Sequence, residues 1–296
     1  MTYALGGLIQ ASDYNGFATN TGAVWTTLYG QPAIAPVTVG QTVTAQQWNS
    51  IYTAISNAAQ HQGTTITSIT PAGVGGAVKY YPQLPTNITE ITSKAYNCQF
   101  NGTDTNASGV RTAPWGGAVS IPTVRSTITM TFDSVDKLRY FFNTGGTLRI
   151  SASSGAGTGT PADILWTTLT SGMGTLSMPA LSTAQTIVGT SYTGLKQIGG
   201  TIVPTTLVAS GFYNLTATPT QLFELNNGGA YGSDSISIVY NTVGSSVIAT
   251  ILFEDTNNQT IDGTLTVFAT ARPSEATFLA NTWGTPTITV TSPVTL

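Results

Sequence analysis

Charged side chains are scarce in this chain. Lys and Arg number 9 and Asp and Glu 12 among 296 residues, 7% in all, where a soluble domain usually carries about a quarter. The nine cations (Lys79, Lys94, Arg111, Arg125, Lys137, Arg139, Arg149, Lys196 and Arg272) are scattered. With a net charge of −3 and a pI near 4.9, they exclude the clustered basic footprint of a nucleic-acid binder. Cysteine is nearly absent too. Cys98 alone rules out an internal disulfide, so stability must come from packing or assembly. His61 is the single histidine, which excludes His-based zinc sites and leaves a Ser-His-Asp triad only one candidate base. No apolar run is long enough to cross a bilayer. The opening Met1-Thr2-Tyr3-Ala4-Leu5-Gly6-Gly7 lacks the basic and apolar regions of a signal peptide. The expectation is a chain made in the cytoplasm, with no Sec-type export and no membrane insertion.

Thr, Ser, Asn, Gln and Gly take the place of the missing charge. Lys and Glu normally keep protein surfaces apart and guard strand edges. A neutral, hydroxyl-rich exterior therefore suits packing against neighbours.

The first 62 residues hold an imperfect duplication at a spacing of 34. Gly6-Gly7-Leu8-Ile9-Gln10-Ala11-Ser12-Asp13-Tyr14-Asn15-Gly16-Phe17 parallels Gly40-Gln41-Thr42-Val43-Thr44-Ala45-Gln46-Gln47-Trp48-Asn49-Ser50-Ile51. In the second copy Thr44 and Gln47 have capping-box spacing. Trp48, Ile51, Tyr52, Ile55 and Ala59 then recur at helical intervals, and Gly63 is placed to close the helix. The first copy has a rougher stripe (Tyr14, Phe17, Ala18, Val24, Trp25, Leu28), interrupted by Gly16 and Gly22. The expected organisation is a small helical N-terminal docking module over 1–62, then a Gly/Pro-containing linker or arm over 63–85. An antiparallel β domain fills 86–296.

In that last region Val124, Ile128, Met130 and Phe132 alternate with Arg125, Thr127, Thr129 and Thr131, the period of a half-buried strand. Leu148-Ile150-Ala152, Ile236-Ile238-Tyr240 and Ile288-Val290 alternate likewise. Residues 245–254 and 264–270 are apolar or Thr-rich on both faces, as in central strands. Turn clusters fall at 153–161, 226–233 and 255–263, and short helical turns are expected at 134–142 and 163–170. The fold class expected is mainly β: an antiparallel β-sandwich or jelly-roll-like C-terminal domain with a small α-helical N-terminal module.

Candidate chemistry is thin. His61 falls in the last turn of the second helix, where a cation complements the macrodipole. Gly155-Ala156-Gly157-Thr158-Gly159 superficially resembles a phosphate cradle, but it lacks the Gly-Lys-Ser/Thr ending, no amphipathic helix is expected to follow it, and it reads as a hairpin tip. Asp133 with Asp136, and Glu254-Asp255 with Asn257, Asn258 and Asp262, are the acidic groups. The second offers oxygen ligands that suit calcium, yet lacks the EF-hand pattern and reads as a polar turn. Asn87, Asn101, Asn106, Asn214 and Asn258 begin Asn-x-Ser/Thr tripeptides, as frequent as chance allows in so Ser/Thr-rich a chain. Trp25, Trp48, Trp115, Trp166 and Trp283 have apolar neighbours and read as core or interface anchors. Cys98 reads as a small buried thiol. No catalytic, cofactor-binding or metal-binding residue is assigned, and the expectation is a protein that is not an enzyme.

Two stretches carry a resemblance. Val43-Thr44-Ala45-Gln46-Gln47-Trp48-Asn49-Ser50-Ile51 looks like an opening motif of tailed-bacteriophage structural proteins. Arg139-Tyr140-Phe141-Phe142-Asn143-Thr144-Gly145-Gly146-Thr147-Leu148-Arg149-Ile150-Ser151-Ala152-Ser153, with Trp166 and Ser171-Gly172-Met173-Gly174-Thr175-Leu176-Ser177, resembles virion structural proteins of contractile-tailed phages, notably those of marine cyanobacterial hosts. The resemblance implies a tail, baseplate, neck or fibre-like appendage component located in the virion. Its implied partners are other virion proteins and copies of itself, and no catalytic residues attach to it. Assembly inside a host cell reconciles an adhesin-like composition with a missing export signal. A second reading is a receptor- or host-glycan-binding adhesin module, with loop 226–233 bearing Tyr231 as its site. A polysaccharide-degrading enzyme is the third.

Overall fold

The computed structural model describes residues 10–70, 81–117, 123–226, 233–257 and 259–296. Three helices come first: α1 (Ala11–Gly22), α2 (Ala45–Gln62) and α3 (Leu84–Ser93). The duplicated motif builds the same helix start twice. The α1 N-cap Gln10 and the α2 N-cap Thr44 stand at corresponding positions of the two copies, as do Asp13 and Gln47. Asp13 Oδ2 accepts the Gln10 N–H at 3.2 Å, and Gln47 Oε1 accepts the Thr44 N–H at 2.8 Å. Tyr14 and Trp48, the matching aromatics, then meet edge to face with centroids 5.5 Å apart. The stripe expected on α2 is buried, and Gly63 ends the helix at φ 66°. Gly16 and Gly22 do not interrupt the first copy: α1 runs on into a π-helical segment, Ala23–Leu28.

The remainder is mainly β, and every strand pair is antiparallel. Its strands are β1 (Thr105–Arg111), β2 (Trp115–Gly116), β3 (Thr123–Thr131), β4 (Thr147–Ser154), β5 (Thr175–Met178), β6 (Ala184–Ile187), β7 (Thr190–Thr193) and β8 (Lys196–Ile198). They continue as β9 (Thr206–Leu207), β10 (Thr220–Asn226), β11 (Ser235–Val243), β12 (Ser246–Glu254), β13 (Thr260–Ile261), β14 (Leu265–Arg272), β15 (Thr287–Val290) and β16 (Val294–Thr295). One sheet has the order β1-β14-β4-β5-β8. A second runs β15-β3-β12-β11-β10-β9, with β16 also on β3, and β13-β2 and β6-β7 form two small two-stranded sheets. Alternation sends Val124, Ile128 and Met130 of β3, Val247, Ala249, Ile251 and Phe253 of β12, and Leu265, Val267, Ala269 and Ala271 of β14 into one shared core. This is a β-sandwich-like arrangement with helices built in. The strands expected to be central, β12 and β14, do lie inside their sheets, but each buries only one face.

Two helices interrupt the strands, α4 (Val135–Asn143) and α5 (Pro161–Met173). α5 is more than the short turn expected at 163–170. Thr160 caps it, Pro161 occupies its first turn, and Asp163 completes a capping box. Its Trp166 is fully buried, with ring centroids 4.6 Å from Trp115 and 6.1 Å from Phe253 of the seven-stranded sheet. A tryptophan so placed contributes about 3–5 kcal/mol against truncation to alanine.

The N-terminal helices share the core of the sheets. Polar ties reinforce the contact. Gln31 donates from Nε2 to the Ala280 carbonyl at 2.9 Å and accepts the Ala280 N–H at 3.0 Å. Tyr29 Oη donates to the Ala95 carbonyl at 2.7 Å, and Thr282 Oγ1 donates to that of Tyr29 at 2.7 Å. A linker was expected over 63–85 and β structure from 86. α3 crosses that boundary, because Pro85 starts a helix there instead of extending an arm. Residues 71–80 of that expected linker lie outside the described residues.

The β6–β7 hairpin turns through Val188 and Gly189 at φ 46° and 70°. Such a turn favours Asn-Gly, and a β-branched residue in the left-handed region is strained. Val188→Asn should raise stability by about 1 kcal/mol, read as a higher urea midpoint at unchanged slope; an unchanged or lower midpoint would refute the strain.

Candidate functional site

The two side chains most apt for covalent or acid–base work are both withdrawn. His61 does stand in the last turn of α2, but it is buried, and burial pulls its pKa down to about 4 against a raising hydrogen bond to Thr144. It is therefore neutral at pH 7 and does not serve as the expected cation at the helix end. Its Nε2 carries the proton and donates to the Thr144 carbonyl at 3.0 Å. Burial pushes the Cys98 thiol up to about 12, and its Sγ donates to the Phe100 carbonyl at 3.0 Å.

The glycine-rich stretch 155–159 leads into α5, so a helix does follow it and no hairpin tip forms. The place where a phosphate would sit at such a helix start is filled from within. Asp262 accepts the N–H and hydroxyl of Thr158, both at 2.9 Å. Asp163 accepts from Thr160 N–H and hydroxyl (3.1 and 2.8 Å) and from the N–H groups of Asp262 and Gly263 (3.0 and 3.3 Å). Burial opposes the charge on Asp163, yet the hydrogen bonds from Thr160 and Asp262 prevail and hold it below the usual carboxylate range.

The acidic groups divide differently from the order of the sequence. Asp133 and Asp136 lie on the surface, in ion pairs with Lys137 and Arg139. Asp262 joins Asp163, and Glu254 accepts from the Ser235 hydroxyl at 3.2 Å. Asp255 instead meets Asp234, a residue that sequence reasoning missed. Asn257 bridges them, donating from Nδ2 to Asp234 Oδ1 at 2.6 Å and from its N–H to Asp255 Oδ1 at 3.3 Å. Burial first, then the charge of Asp234, raise the Asp255 pKa to about 6, while the N–H groups of Asn257 and Gly117 pull it down. Asn258, grouped with them in the sequence, lies outside the described residues. Among the described residues, no group of three or more His, Cys, Asp or Glu is placed to hold a metal.

Trp48, Trp115, Trp166 and Trp283 are core residues, whereas Trp25 is half-buried and lines a groove of about 500 Å³ with Pro32, Ile34, Gln46, Asn49 and Thr53. Asn87 is buried and bonded to both backbone groups of Thr67, so it is closed to glycosylation in the folded chain. The loop proposed for receptor contact, with Tyr231, falls largely on residues 227–232, outside the described residues.

The sheet surfaces themselves are the most extended feature. On the seven-stranded sheet the outward rows read Thr289-Thr129-Ile248-Asn241, Thr127-Thr250-Val239-Gln221 and Arg125-Leu252-Ser237-Glu224, Ser237 alone among them being buried. On the other sheet one row reads Ser108-Phe268-Ser151-Thr175-Ile198. The β6–β7 hairpin covers the far end of that row, where Tyr192, Ile187 and Cys98 pack on Ile198. The sheet edges offer little. β8, β9, β15 and β16 have three, two, four and two residues. The longer β1 is overlaid by the C-terminal segment, with Arg111 Nη1 donating to the Pro293 carbonyl at 3.3 Å. Brevity and cover, not charge, protect these margins.

Comparison with protein-family models, curated proteins and solved structures finds no match to this chain.

His61 sets a pH dependence. In the unfolded chain a histidine titrates near 6.5, so as pH falls the unfolded state takes up the proton first. Its contribution to stability is complete above pH 6.5 and is lost towards pH 4, by about 3 kcal/mol. Urea unfolding at pH 7 and pH 4.5 should show a loss that shrinks in His61→Gln; equal losses in the two proteins would refute the assignment.

Proposed function

We propose that this chain is a structural component of a tailed-phage virion, a tail, baseplate or neck appendage protein that packs against its neighbours. The contacts are uncharged sheet faces together with the groove of the N-terminal helical region. The observation that carries the reading is the seven-stranded sheet: three successive outward rows hold only two formal charges, Arg125 and Glu224. Threonine hydroxyls bond neighbours as readily as water, and with so few charges such a face repels a second face like it only weakly. With the edges closed, assembly proceeds face to face and not by extending a sheet. The motifs at 43–51 and 139–153 supply the phage context. Partners are then other virion proteins and further copies of this chain.

Charge placed on that face tests the reading. Thr129 and Thr250 point outward and are half-buried, so Thr129→Lys/Thr250→Lys should keep the fold within about 1 kcal/mol. The wild-type chain should form oligomers or copurify with particles, and the double variant should lose that association at least tenfold. A wild-type chain that sediments as a monomer at high concentration, and is missing from purified particles, would overturn the proposal.

A further inference from the structure

A cavity of about 360 Å³ lies between the segment that leads into β1 and the loop from β14 to β15. A ladder fixes one side. Arg272 donates from Nε and Nη2 to the two oxygens of Asp104 at 2.9 and 2.7 Å. The Gly102 N–H donates to the Pro273 carbonyl at 2.9 Å, and the Glu275 N–H to that of Phe100 at 3.0 Å. The loop beyond is held as firmly: Asn281 Oδ1 accepts the Gly284 N–H at 2.7 Å, and the Trp283 side chain between them is 2% exposed. The fold therefore builds the cavity before any ligand arrives, at a size usual for small-molecule sites.

The lining narrows the class of ligand. No Lys, Arg or His is part of it, and the neighbouring Arg272 is spent on Asp104, so an anion finds no free positive partner there. Asp104 and Glu275 offer carboxylate acceptors, and Thr103, Ser274 and Thr285 offer hydroxyls. Ser274 is 3% exposed and its Oγ has no hydrogen-bond partner among the described residues. Turning that hydroxyl towards a ligand therefore breaks no bond. An entirely apolar ligand would leave these groups unpaired, which is unfavourable. Pro273, Pro286 and Trp283 add apolar surface to the same lining.

We infer that this cavity binds a neutral pyranose unit of a saccharide. A sugar hydroxyl donates and accepts at once, so it pairs with a carboxylate on one side and a serine or threonine hydroxyl on the other. The bonds it gives to a carboxylate are charge-assisted. Its ring also carries C–H faces, which pack on proline and indole surfaces. With Asp104 neutralised by Arg272, Glu275 is the one acid of the lining without a cationic partner among the described residues, and it gives a cation little advantage. The site uses residues other than 226–233, and the inference does not rest on the virion reading.

Saturation-transfer difference NMR with the methyl glycosides of glucose, galactose, mannose and N-acetylglucosamine tests it, with glucosamine and glucuronate as charged arms. At least one neutral glycoside should bind with a millimolar Kd, and more tightly than either charged sugar. Its binding should shift backbone amide signals within 102–105 and 273–286 of the wild-type protein. Thr103 is exposed and lines the cavity. Thr103→Trp should fill that space and weaken binding at least tenfold, with far-ultraviolet circular dichroism confirming the fold. If the variant does not fold, the wild-type shift map decides alone. No binding by any of the neutral glycosides, tighter binding of a charged sugar, or shifts confined to other residues would overturn the site, as would equal binding by the folded variant.

Discussion

The burial of Trp166 between Trp115 and Phe253 is the contact on which the rest of the fold depends. α5 carries that ring, and α5 is held at its start by one carboxylate. Asp163 gathers N–H groups from Thr160, Asp262 and Gly263, so the segments before the helix and before β14 are fixed by a single buried acid. The arrangement needs no cation because four N–H and O–H donors converge on the two oxygens. Trp115 links this centre to the end of the sandwich where Asp234 and Asp255 lie. Buried aspartates thus organise both places while the outer faces stay almost free of charge.

That inversion gives the neutral composition a structural meaning. Four of the twelve acids, Asp13, Asp163, Asp234 and Asp255, sit inside as acceptors, while threonine and serine fill many outward positions of the sheets. A chain so built has little long-range repulsion to keep copies apart. Its sheets nevertheless do not invite uncontrolled strand addition, since the edges are short or overlaid. On the proposed reading, association is directed to the faces, where registered side chains would define the contact.

Much of the fold was legible in the sequence where one local signal sufficed. α2 was read from the Thr44/Gln47 box, its apolar spacing and Gly63, and the alternation of β3, β11 and β12 marked their buried rows. Pro85 and Pro161 misled, because proline opens a helix as naturally as it breaks one. In Thr160-Pro161-Ala162-Asp163 the cap, the first-turn proline and the box acid were all present, but the glycine-rich run before them suggested a loop. His61 was placed correctly and charged wrongly, since its burial against Thr144 depends on a contact 83 residues away. The Asp234–Asp255 pair was hidden for a related reason. Only the β11–β12 register brings the two together, while Asp262, a neighbour in sequence, turns to Asp163, 99 residues away.

The most direct test of the face-packing account is hydroxyl-radical footprinting of side chains, in dilute protein and in the assembled state. Phe268, 41% exposed on its sheet, and Ile248 and Leu252 on the other should be oxidised in dilute protein. The account predicts that assembly protects at least one of these faces while edge residues such as Leu207 remain as reactive as before. Equal oxidation of all three face residues in both states, or protection confined to the edges, would contradict it.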